Sequence, residues 1–299
     1  MRDFIRGAFA AIAMGAAAVS AAQAADLPSV KAPPPPPTFV DTYQPFQVRL
    51  KVGSVIPTEG TSTFYDNRIV HPLLPGGWVG PLTGLSAGPG SVLLGANTSI
   101  SSSVIPMLDV AYFLTKNWAI EAICCVSPHH IQGTNTLAGA SVAHTWVFPP
   151  SVMLQYHFTN FGPIQPYLGV GVNFTTFWGT RAGNNSFFLP FVPGSPVGLP
   201  GATTNLYSVS ITPSWGVVGQ AGVDYMFNEH WGVNVDFKYI TMQPRAHAWG
   251  TAFVSGPAAA INPIYVPLNV AVNINPIVVS AGLTYRFGGD WGLPKTLPY

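Results

Sequence analysis

Residues 231–239 read Trp-Gly-Val-Asn-Val-Asp-Phe-Lys-Tyr, with a large apolar or aromatic side chain at every odd position and a small or polar one at every even position. Side chains alternate across a strand, so this segment has one greasy face and one charged face. Eight strand-like segments follow along the chain: 46–56, 101–114, 118–126, 151–158, 167–177, 215–227, 231–240 and 277–287. Their connections alternate in length. Residues 115–117, 159–163 and 228–230 form short turns, whereas 57–99, 127–149, 178–212 and 241–275 are long. Short turns at one rim and long loops at the other are the asymmetry of an outer-membrane barrel. A soluble sandwich is the competing architecture, and it has no reason to alternate its loops in this way. The expected fold is all-β: an eight-stranded antiparallel transmembrane β-barrel with short periplasmic turns and four long extracellular loops. An even strand count places both barrel ends on the periplasmic side.

Composition supports the membrane. The chain is 48% hydrophobic and 8% charged, against about 25% charged in an ordinary soluble domain. No stretch after the leader has the roughly 18 uninterrupted apolar residues that a spanning helix needs. Arg2 and Arg6, an Ala-rich apolar run and Ala22-Gln23-Ala24 read as a cleaved signal peptide over residues 1–24. Residues 25–45 form a Pro-rich periplasmic segment containing an unbroken proline run at 33–37. Residues 46–287 form the barrel and 288–299 a C-terminal extension. The expected location is the bacterial outer membrane, with membrane lipid as the surrounding partner. A formal charge of +1 gives no footprint for nucleic acid. Cys124 and Cys125 are adjacent, their side chains point to opposite faces of a strand, and a disulfide between them is not expected.

The apolar phase of each strand is assigned to lipid, with aromatics such as Tyr112, Trp118, Tyr156, Phe158, Tyr225, Phe227, Trp231 and Tyr285 near the short turns as an interfacial girdle. The opposite phase carries Arg49, Lys51, Lys238 and Arg286 together with Asp109, Glu121, Asp224 and Asp236, and with His157, Gln155 and Gln220 among them. Side chains largely fill an eight-stranded lumen, so these balanced charges are expected to pair as a plug. Toward the long-loop side the same phase becomes Val55, Ile105, Met107, Met153, Phe177, Val218, Ile240, Met242 and Val278. This upper lumen is expected to be apolar, as plain packing or as a hydrophobic pocket with adaptable Met side chains. Phe187 to Phe191 and Ile264 to Leu268 add greasy loop segments. Pro106 falls inside a strand, where it bends the strand or interrupts its ladder.

Several segments together resemble the OmpW family of outer-membrane proteins. They are Asn117-Trp118-Ala119-Ile120-Glu121, Leu154-Gln155-Tyr156-His157-Phe158, Pro166 to Phe174, Gly219 to Tyr225 running on through Asn228-Glu229-His230-Trp231, and Gly282-Leu283-Thr284-Tyr285-Arg286-Phe287. The resemblance covers the framework of residues 46–287 and leaves the long loops unmatched. It implies a narrow, hydrophobic channel that passes a small hydrophobic permeant, with lateral diffusion through the wall. It also implies handling by the barrel-insertion machinery, which reads a closing aromatic such as Phe287.

Other chemistry is set aside. His129 and His130 point apart on a strand and make a poor metal clamp with His144 or His71. His157 has no clear nucleophile near it, so no enzyme is expected, and neither is a cofactor or a metal. A structural or loop-mediated receptor role without transport is the alternative function, and a lipid-modifying barrel enzyme is a further one.

Overall fold

The computed structural model describes residues 43–66, 69–70, 78–79, 91–92, 96–135, 137–184, 186–189, 202–254, 259 and 262–289. The signal peptide, the proline run and residues 290–299 lie outside the described residues, as does His71. In chain order the strands are β1 (Phe46–Ile56), β2 (Glu59–Asp66), β3 (Ile69–Val70), β4 (Trp78–Val79), β5 (Ser91–Val92), β6 (Ala96–Ile100) and β7 (Ser103–Phe113). Then come β8 (Trp118–Cys125), β9 (Ser127–Asn135), β10 (Ser141–Phe148), β11 (Ser151–His157), β12 (Ile164–Ala182) and β13 (Ser186–Leu189). The last are β14 (Ala202–Ile211), β15 (Ser214–Met226), β16 (Trp231–Ile240), β17 (Arg245–Val254), β18 (Ile264–Ile274) and β19 (Ile277–Phe287).

Eight of these close a barrel in the order β11-β8-β7-β1-β19-β16-β15-β12, with β11 pairing back onto β12. All the pairings are antiparallel, and the ends meet through the register Phe46↔Phe287 to Ile56↔Ile277. These are the eight strands read from alternation, with boundaries moved by a few residues; β12 runs five residues beyond the expected Phe177, to Ala182.

The long loops depart from expectation, because much of their length is strand. β2, β6, β9, β10, β14, β17 and β18 each carry on upward from a barrel strand, and β12 continues unbroken. Above the barrel β6-β9-β10-β12 form one laddered wall and β14-β17-β18-β2 another. β2 lies beside β6 and β14 beside β12, so the neighbour order of the barrel is repeated in an upper storey. These segments escaped the sequence reading because proline stands at or near the junction of the storeys: Pro57, Pro149-Pro150, Pro213, Pro244 and Pro276 between strands, Pro106 inside β7 and Pro128 inside β9. Proline has no N–H for a ladder, so each one ends or offsets the pairing. Only β12 crosses this belt without one.

Greasy side chains cover the outside of the barrel. Leu50 is 62% exposed, Val170 59% and Leu283 52%, values that only lipid makes tolerable for so continuous a surface. Near the short turns the rings pack on one another: Trp118 edge-on to Tyr156 at 5.0 Å, Trp231 tilted against Tyr285 at 4.7 Å and Phe46 stacked on Phe287 at 5.5 Å. A second belt, Phe148 with Trp178 at 6.0 Å and Phe174 with Trp215 at 4.6 Å, stands at the other rim. Cys124 is exposed on this outer face, Cys125 is buried inside, and both thiols are free.

Candidate functional site

The lower lumen is a solid ionic network. Arg49 pairs with Glu121 and, at 2.8 Å, with Asp224. Lys51 pairs with Asp109 and, at 2.9 Å, with Asp236. Lys238 pairs with Asp236 and lies 3.8 Å from Asp109 and 3.9 Å from Glu121. Arg286 reaches Asp224 at 3.4 Å. All eight are buried. In so dry a place each charge needs a partner, and the four cations and four anions supply one another.

Amides complete the shell. Gln220 donates to Glu121 at 3.0 Å and to Asp236 at 3.1 Å, and accepts from Gln155 at 2.9 Å. Gln47 and Gln165 each accept from Arg286 at 2.7 Å. Asn234 donates to Asp224 at 2.8 Å, and the Arg49 guanidinium lies 4.9 Å from the centre of the Tyr167 ring. Sequence reasoning missed Gln47, Gln165, Tyr167, Asn234 and Thr284. Their signal was available: Gln47, Asn234 and Thr284 stand two residues before Arg49, Asp236 and Arg286, on the same strand face. Gly169 and Gly171 face inward as well. A Cβ on Gly169 would lie 2.8 Å from the Gln220 amide oxygen, and one on Gly171 would strike Met153.

His157 sits at the bottom of this network. Its Nδ1 is 3.9 Å from Asp224, and its Nε2 is 3.1 Å from Gln155. The ring is packed between Phe113 and Tyr167, each 4.8 Å away.

Above the plug the lining turns apolar. Val55, Ile105, Met107, Met153, Val218, Ile240, Met242 and Val278 form one buried cluster with Ile123 and Cys125, and Phe177 and Ile274 pack against it. The structure thus brings the nine upper-lumen positions together, though not in one role. Val55, Met107, Phe177, Ile240, Met242 and Val278 line an open cavity, whereas Ile105, Met153 and Val218 pack behind it. The cavity encloses about 1280 Å³ of empty space, its open end included. Lys238, at the top of the plug, forms part of its floor. Its higher walls come from the upper storey, through residues such as Ile131, Val142, Leu206, Val209, Leu268 and Val270. Of these, sequence reasoning singled out Leu268 alone, as part of a greasy loop segment, because it took their strands for loops. Of the greasy loop segments, Leu268 is buried and Tyr265 exposed; the side chains of Phe187 to Phe191 lie outside the described residues.

The wall has a break at the level of the cavity. Between the pairs Ile100↔Ile131 above and Met107↔Cys125 below, the β7 side offers Pro106 and the β8–β9 side offers Pro128. Neither can donate to a ladder. Ser101 N still donates to the His130 carbonyl at 3.0 Å, and Ser103 Oγ donates to the Pro128 carbonyl. Pro106 keeps its partner Val52 on the β1 side, so the interruption is one-sided.

On β9 the two histidines point apart: His129 is buried and His130 exposed. His130 packs edge-on against His144 across the strands, with ring centres 4.4 Å apart. No cluster of three or more potential metal ligands occurs among the described residues.

A closed eight-stranded antiparallel wall with a lipid-facing surface, two aromatic belts and a filled lumen defines an outer-membrane β-barrel. The OmpW family model matches residues 88–287, and the chain belongs to that family. It is 34% identical over 193 residues to the uncharacterized outer-membrane protein y4mB of Sinorhizobium fredii, covering 64% of this chain and 70% of that one. It is 22% identical over 194 residues to the dibenzothiophene metabolism operon protein PahQ of Pseudomonas aeruginosa, covering 64% and 76%. Among solved structures, the outer membrane protein OprG of Pseudomonas aeruginosa superposes with a TM-score of 0.57 at 22% identity, covering 82% of this chain and 97% of that one. The protein is therefore a resident of the bacterial outer membrane.

Proposed function

We propose that this barrel binds small hydrophobic molecules and lets them pass passively across the outer membrane. The permeant enters the apolar cavity from outside and leaves sideways, through the wall at the Pro106–Pro128 interruption. The observation that carries the reading is a deep apolar cavity standing on a closed ionic floor. An apolar molecule gains about 25 cal/mol for each Å² it removes from water in such a cavity. Downward movement would bring it against buried charges that are already paired, at a large desolvation cost. The wall is the path that remains. The name of PahQ supports the reading, since dibenzothiophene is an apolar aromatic molecule. The reading includes no catalysis. It assigns the closing strand Ile277–Phe287 as the segment that the barrel-insertion machinery reads.

Filling the cavity tests this. Ile240→Trp places an indole against Met242 and Val278 in the apolar cluster and should cut the flux of a hydrophobic tracer into proteoliposomes several-fold. Single-channel current through the same bilayers should be small for both proteins. Unchanged tracer flux through a correctly folded variant would overturn the reading.

A second reading, an outer platform for a partner, is favoured by the exposed aromatics of the upper storey: Tyr207, Trp249, Phe253 and Tyr265. It predicts that these matter and that Ile240 does not.

A further inference from the structure

The cavity is aliphatic nearly all round, with one small polar group on one side. On the side of β14, β17 and β18 its lining is aliphatic, as at Leu206, Val209 and Val270. On the side of β9 and β10 the aliphatic lining of Ile131, Val142, Ala143 and Val147 is interrupted by Ser127, His129 and Thr145, all three buried.

Ser127 and His129 are two residues apart on β9 and therefore share a face. His129 Nδ1 lies 2.7 Å from the Ser101 carbonyl oxygen. That oxygen only accepts, so Nδ1 carries a proton. His129 Nε2 lies 2.9 Å from Ser127 Oγ. Burial pushes the His129 imidazole below its ordinary range; the Ser101 carbonyl opposes this and His130 adds to it. The ring is therefore neutral at neutral pH, and Nε2 accepts the Ser127 proton. A hydroxyl that donates in this way has its acceptor strength raised by the chain of hydrogen bonds, and among the described residues no donor takes up the lone pairs of its oxygen. Thr145 is differently placed, since its hydroxyl is 2.8 Å from that of Thr180.

A pure hydrocarbon gains nothing from this arrangement, and burying it in an apolar tube costs desolvation. We propose that the cavity selects small hydrophobic molecules carrying one hydroxyl, whose O–H donates to Ser127 Oγ while the skeleton lies on the aliphatic wall. This rests on the passage reading above and adds the substrate class and the recognising group.

The test uses matched probes, 1-naphthol and naphthalene, on the full-length protein in nanodiscs, with empty nanodiscs subtracted. One hydrogen bond of ordinary strength corresponds to roughly tenfold in affinity, so the wild type should hold 1-naphthol about tenfold more tightly. Ser127→Ala should abolish that preference and leave naphthalene affinity unchanged, and Ser127→Thr, which keeps the hydroxyl, should retain it. Equal affinity of both probes for the wild type, or a preference that survives Ser127→Ala, overturns this inference and leaves the passage reading standing. Should Ser127→Ala misfold, the wild-type comparison and Ser127→Thr still decide. Failure of both probes to bind the wild type would overturn both readings.

Discussion

Arg49 is the residue on which the lower lumen turns. Among the described residues it alone joins Glu121 on β8 and Asp224 on β15, carboxylates three strands apart around the barrel. Removing one partner from a buried ion pair leaves an uncompensated charge and costs about 3–5 kcal/mol. Arg49→Met should therefore lower the unfolding free energy extrapolated from denaturant titration by an amount in that range, and an unchanged value would show that solvent reaches the carboxylates. His129 gives a second check. Its folded pKa lies below the unfolded value of about 6.5, so the folded state binds fewer protons in the window between them. Any stability it lends is present above the unfolded value and lost as pH falls through the folded one. An NMR titration of His129 should have its midpoint below about 6.5, and a midpoint at or above that value would contradict a buried neutral ring. These two residues were not equally legible. Arg49 announced itself as a cation in the polar phase of a strong alternation. His129 belongs to β9, whose alternation is broken by Pro128 and by the paired histidines, and its hydrogen bond to Ser101 reaches the link between β6 and β7.

Among the elements, β1, β16 and β19 were readable to the residue, because long alternation, flanking aromatics and short turns agree there. β9, β10, β14, β17 and β18 were not, since prolines and small residues blur their period and their lipid face gives way to a wetter one. The proline belt separates the two groups physically as well. Regular strand pairing is interrupted near the belt on the strands other than β12, where scattered backbone bonds such as Thr241 N to the Val217 carbonyl, Ile274 N to the Met242 carbonyl and Val272 N to the Pro244 carbonyl remain, so the upper strands have a weaker link through which to open ahead of the barrel. Amide hydrogen exchange should be slowest in β1, β16 and β19 and faster throughout β9, β10, β14, β17 and β18. In β12 protection should extend above Thr175 without a step. Equal protection above and below the belt would mean that the two storeys form one cooperative unit.

At the scale of the molecule, the tube is greasy outside and ionic inside below the belt, and apolar inside above it. The reversal explains how a chain with so few charges keeps eight of them in its lumen: they fill the space that a narrow barrel cannot leave empty. It also explains why the cavity was only half visible in the sequence. The part built by barrel strands followed from alternation, while the part built by the upper storey did not. The lumen charges sum to zero, four against four. Moving one net charge through 100 mV takes about 2.3 kcal/mol, but an uncharged cargo above an electrically balanced floor does no such work. On the passage reading proposed above, a voltage across the outer membrane would neither drive nor brake movement of such a cargo, which would follow its concentration gradient alone.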